Sequence, residues 1–130
     1  MIIVAPWLLP GKTIAFTFYP FIFVRDKNLS AETMNHERIH LAQQLEMMIS
    51  GVVISALLFL KIRIDIYWYL LFSISFFYLW YYIEYLIRAC MLKSFSEAYY
   101  RISFEMEAYS NEKNHLYLKT RIVWAFLKWY

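Results

Sequence analysis

Ile66 to Ile83 is a run of eighteen residues with no formal charge, crowded with Trp, Tyr, Phe and Leu. A helix needs about 20 apolar residues to cross the hydrocarbon core of a bilayer, and this run comes close unaided. Composition agrees: hydrophobic residues make up 62% of the chain and charged residues only 18%. A domain of 130 residues cannot bury so many apolar side chains in one small core, so lipid is the place for the excess. Met47 to Leu60 is a second apolar stretch, with Gly51 inside it. It becomes long enough to span if its helix extends back to Leu41. Lys61-Ile62-Arg63-Ile64-Asp65 is a tight charged connector, so the two segments predict a helical hairpin with both ends on one side. Glu84 and Arg88 follow the second run four residues apart, a spacing that lets them pair on one helix face.

The expected fold is mainly helical and membrane-associated, a single domain over 1–130. Residues 1–28 form a small β element. Within it Lys12 to Arg25 is rich in Phe, Ile, Val and Thr and is divided by Pro20, which favours two short strands or a bent edge strand. Met1 to Leu9 has no basic residue ahead of it and is broken by Pro6 and Pro10, so it does not read as a signal peptide. Asp26-Lys27-Asn28 is a turn, and Ser30 then caps a helix, with Thr33 as the fallback start. That helix and the first span occupy 30–60, and the second span 66–88. A third helix occupies 94–118, capped by Ser94 or Ser96, with Glu97 supplying early negative charge. The tail 119–130 sets Trp124, Phe126, Leu127 and Trp129 among Lys119, Arg121 and Lys128, as an interfacial helix would. A lone cysteine, Cys90, excludes an intrachain disulfide and reads as packing. The net charge of +3 is too weak and dispersed to argue for nucleic acid.

His36-Glu37-Arg38-Ile39-His40 has the form H-E-x-x-H. On a helix, His36 and His40 lie one turn apart and can reach one ion from one face. Glu37 is offset around the helix and can reach a water beside that ion. Two neutral nitrogen donors with a nearby base are what zinc-dependent hydrolysis needs. The bland alternative is a polar helix face outside the membrane. A catalytic zinc site takes a third protein ligand, and the downstream candidates are Glu84, Glu97, Glu105, Glu107, Glu112 and His115. Glu105 and Glu107 point to opposite sides of a helix, so only one of them can face the histidines. Glu105 could instead pair with Arg101, and Glu112 lies two turns along the Glu105 stripe. Gln43 and Met47 continue the stripe of the histidines; Gln43 is either a hydrogen-bond partner for a ligand ring or a glutamine at the membrane edge. Tyr99, Tyr100 and Tyr109 could donate to an oxyanion, but an aromatic belt at the lipid interface explains them more simply.

With Glu105-Met106-Glu107-Ala108-Tyr109, the order of motif, hairpin and helix resembles the gluzincin metallopeptidases, in particular the membrane-bound HtpX-type and BlaR-type sensor peptidase families. Those families carry E-x-x-A-D or a close variant on the helix after the hairpin, and its first Glu is their third zinc ligand. The resemblance runs over roughly 30–112 and implies a metal set of His36, His40 and Glu105. It also implies one zinc ion, Glu37 as the catalytic base and a peptide or protein substrate. Tyr109 stands where those families usually have Asp, so the group that would orient a ligand histidine is missing from its expected place. The basic residues Arg38, Arg88, Lys93 and Arg101, set against Lys61 and Arg63, predict cytoplasmic termini and a cytoplasmic-face site in a plasma or inner membrane. The competing expectation is a small non-enzymatic membrane scaffold, or a metal-binding sensor.

Overall fold

A computed structural model of the chain describes residues 1–59 and 65–130. Most of the predicted connector therefore lies outside the described residues. The chain is mostly helical, with one small sheet. Two helices, Ala31–Leu58 and Ile66–Leu92, are long and apolar enough to cross a membrane. The described residues divide into two compact units, one of residues 1–42 with 103–130 and the other of residues 43–102.

In the first unit, β1 (Ile2–Val4), β2 (Ala15–Phe18) and β3 (Phe21–Val24) form a sheet in the order β1-β3-β2. β2 and β3 are an antiparallel hairpin that turns at Tyr19-Pro20, with Thr17 opposite Ile22. β1 was not expected. It runs parallel to β3, Ile2 opposite Ile22, and three residues are too few to show a period in sequence. One sheet face carries Thr17, Ile22 and Val24, all buried. Behind the sheet comes α1 (Ala31–Phe59), whose start is fixed by Ser30: its hydroxyl accepts the Thr33 amide at 3.0 Å. Asn35, His36, Glu37, Ile39 and His40 are buried on these first turns. α4 (Ser103–Asn111), α5 (Tyr117–Thr120) and a 3-10 helix (Ala125–Trp129) complete the unit. Phe126 is fully buried, its ring 4.3 Å from that of Phe104.

The second unit holds the rest of α1, then α2 (Ile66–Leu92) and α3 (Phe95–Tyr100). α1 and α2 pack against each other there: the Tyr69 hydroxyl donates to the Val52 carbonyl at 3.1 Å, and the Ser55 and Ser73 hydroxyls lie 3.3 Å apart. Small residues make the approach possible, since a Cβ on Gly51 would stand 2.9 Å from the Ser73 Cα. Gln43 and Met47 are fully buried in this unit. Glu84 and Arg88 pair at 3.2 Å as their spacing predicts. α2 runs a turn beyond Arg88 and stops where Lys93 turns left-handed, at φ 52°. Ser94 then caps α3 by accepting the Glu97 amide.

Two expectations need correction. The stretch 94–118 is three helices rather than one. α3 ends at Arg101, whose amide turns back to the carbonyls of Glu97 and Ala98, and α4 starts afresh at Ser103. α4 ends at Asn111 because the carbonyls of Asn111, Glu112 and Asn114 turn to the Asn35 side-chain amide, at 3.2, 2.8 and 3.1 Å. The tail 119–130 is not one interfacial helix either. Arg121 leaves helical geometry, Trp124 sits at φ 63°, and Ala125 and Phe126 are in the core of the first unit.

Candidate metal centre

α1 sets the two motif histidines one turn apart with their rings nearly perpendicular, centroids 4.7 Å apart. Their Nε2 atoms face each other at 3.1 Å. α4 brings in Glu105, with Oε2 3.5 Å from His36 Nε2 and Oε1 3.4 Å from His40 Nε2. All three side chains are buried. Among the described residues, this is the group of His, Cys, Asp or Glu side chains placed to hold a metal ion.

The triangle can be tested against zinc. Bonds of about 2.0–2.1 Å to tetrahedral corners place neighbouring donor atoms about 3.3 Å apart. The two ring nitrogens, 3.1 Å apart, come near that spacing, and each Glu105 oxygen faces one of them, Oε2 at 3.5 Å from His36 Nε2 and Oε1 at 3.4 Å from His40 Nε2. One donor atom from each side chain lies within 4.8 Å of the others. The protonation pattern fits as well. His36 Nδ1 lies 3.0 Å from Glu112 Oε2. A carboxylate at this place favours the tautomer in which Nδ1 donates and Nε2 carries the lone pair that a metal would take. A carboxylate behind a ligand imidazole fixes the ring and raises its basicity. Two nitrogens and one oxygen from three side chains leave the fourth tetrahedral corner for a water or a substrate oxygen.

Glu37 stands outside the triangle, on the sheet side. The Thr17 hydroxyl on β2 donates to Glu37 Oε2 and also lies 3.4 Å from the Glu37 carbonyl oxygen. Both residues are buried. The residue after His36 on a helix necessarily points to a different side, and β2 is what fills that side.

The rival ligands fall elsewhere. Glu107 is fully buried and faces the C-terminal segment, where Arg121 binds it through Nε at 2.5 Å and Nη2 at 3.2 Å, and the Tyr117 hydroxyl donates at 3.0 Å. Glu112 stands behind His36 rather than in the triangle. His115 is exposed. Tyr109, at the position where Asp was expected, lays its ring edge-on to His36 with centroids 4.5 Å apart. The carboxylate that stands behind His36 is that of Glu112, seven positions after Glu105 instead of four.

Sequence reasoning missed Thr17 and Asn35. Thr17 is the lone polar residue of β2, between Phe16 and Phe18, so its alternation with two phenylalanines was the available signal. Asn35 directly precedes the motif and carried none. Compared with known proteins, the chain shows no significant match to any family model, curated protein or solved structure.

Proposed function

We propose that the protein is a membrane-bound, zinc-dependent peptidase of gluzincin type. The observation that carries this reading is the buried group of His36 Nε2, His40 Nε2 and the Glu105 carboxylate, one donor atom from each within 4.8 Å of the others. A zinc ion bound there would supply a polarised scissile carbonyl and a water whose pKa falls to about 7. Glu37 takes the proton of the attacking water and returns it to the leaving amine nitrogen. Thr17 holds that carboxylate by Oε2 and leaves Oε1 for the water. The outer edge of β2, beside Glu37, suits an extended polypeptide pairing as an added strand. The two long apolar helices support residence in a bilayer, and the excess of basic residues near the termini side supports a cytoplasmic site.

The test uses the full chain in lipid nanodiscs with a quenched fluorescent casein as substrate. Wild type is expected to hold one zinc per chain and to cleave. His36→Ala loses the metal. Glu37→Gln keeps it and loses about 10²–10⁴-fold in turnover. If wild type and Glu37→Gln behave alike while both hold zinc, the peptidase reading fails and a metal-binding sensor takes its place. If no variant holds zinc, a scaffold remains.

A further inference from the structure

The sheet face turned away from α1 is apolar. The register puts Phe16 opposite Phe23, Phe18 opposite Phe21 and Ile3 opposite Phe23, so these five side chains share the face turned away from Thr17, Ile22 and Val24. Phe16 and Phe18 are 43% and 40% exposed. An antiparallel sheet with one face in water alternates apolar with polar residues, and this outer face has no polar residue at all. The segment between β1 and β2 adds exposed apolar side chains: Trp7, in a 3-10 helix at Pro6–Leu8, is 83% exposed and Ile14 56%. Cations gather at the same end of the sheet. The Arg25 side chain donates to the carbonyls of Leu9, Thr13 and Gly11, which ties that loop to the end of β3. Lys12, Arg25 and Lys27 are exposed in these segments, as is Asp26.

We infer that the outer face of the sheet docks on the lipid surface, with Phe16, Phe18 and Trp7 entering the acyl boundary and Lys12, Arg25 and Lys27 at the level of anionic headgroups. An exposed aromatic face rimmed by basic residues has the chemistry of an interfacial membrane contact. A protein partner would have to be supplied, whereas the apolar helices of this chain already call for a bilayer. The inference rests on the bilayer part of the proposed function and is independent of the metal.

The test places a nitroxide on single cysteines, Phe16→Cys or Phe18→Cys, in a Cys90→Ser background, with the full chain in mixed phosphatidylcholine–phosphatidylglycerol nanodiscs. Leu79→Cys on α2 serves as the lipid reference and Lys113→Cys as the aqueous one. Collision with oxygen, which concentrates in lipid, is compared with collision with a water-soluble nickel chelate. The ratio of oxygen to nickel accessibility at 16 and 18 is expected to exceed that at 113 several-fold, approaching that at 79. A ratio at 16 and 18 equal to that at 113, with 79 still lipid-like, overturns the inference and leaves the spans standing. Exclusion of both agents at 16 and 18 also overturns it, because a second copy or another protein then covers the face. A water-like ratio at 79 removes the bilayer reading and this inference together. Should a label disturb folding, seen as lost helical circular dichroism, quenching by brominated lipids decides: the fluorescence of Trp7, taken as the difference from Trp7→Phe, is quenched if the face meets lipid and unaffected if it does not.

Discussion

The least conspicuous residue of the site, Asn35, has the widest reach. Its amide nitrogen binds the three carbonyls at 111, 112 and 114, and so fixes the backbone from which Glu112 reaches His36 Nδ1. Partners of this kind behind a ligand histidine usually contribute 10–100-fold to metal affinity. Glu112→Gln is therefore expected to weaken zinc binding by about 10–100-fold, measured by competition with a chelating dye, and Asn35→Ala to weaken it in the same direction. Unchanged affinity in both would show that the ring needs no anchor. Thr17 acts on the other carboxylate. Thr17→Val keeps shape and loses the hydrogen bond to a charged group, a contact of about 1.5–3 kcal/mol. The expected result is a fall in kcat of about tenfold or more with KM and zinc content unchanged, and recovery in Thr17→Ser. Zinc lost together with rate would mark Thr17 as part of the fold alone.

At the scale of elements, the contrast between α2 and α4 is instructive. In the second unit α2 needs close approach to α1, and Gly51 provides it against the Ser73 backbone. Gly51→Leu should lower hairpin stability by about 1–3 kcal/mol, the usual cost of overpacking, read as a lower midpoint in detergent unfolding followed by circular dichroism. An unchanged midpoint would mean that the helices separate there at no cost. α2 was legible because its composition alone dictates a long apolar helix, and the start of α1 was legible from Ser30. The breaks at Arg101 and Asn111 were not, since neither Pro nor Gly marks them. The first break is closed by the Arg101 amide turning back to the Glu97 and Ala98 carbonyls, and the second by a side chain far away along the chain. The asparagines at 111 and 114 were the local hint. The tail was misread because Lys and Trp at its surface mask a buried Phe126 and an Arg121 spent on Glu107. The H-E-x-x-H pair was readable from spacing, whereas spacing left several downstream acids open and the choice of Glu105 came from the resemblance; the place of Glu112 behind His36 depended on a turn that sequence does not show.

The whole molecule assembles its site from segments that are distant in sequence. Residues 1–42 and 103–130 form one compact unit, and His36, His40, Glu105, Glu112, Glu37 and Thr17 all belong to it. Its unfolded form brings no such group together, so zinc should bind the folded unit alone and stabilise it by linkage. At a free zinc concentration one hundred times Kd, the gain is about 2.7 kcal/mol. The intervening residues 43–102 carry none of these side chains and should gain little. Hydrogen exchange on the full chain in nanodiscs, with and without zinc, separates the two. Protection is expected to rise in the sheet, in the first turns of α1 and in α4, with α2 and α3 unchanged, and the rise should vanish in His36→Ala. A zinc-dependent increase spread evenly over both units would point to binding at the surface rather than within the triangle. No increase anywhere would mean that His36, His40 and Glu105 hold each other by hydrogen bonds alone, a polar cluster without a metal.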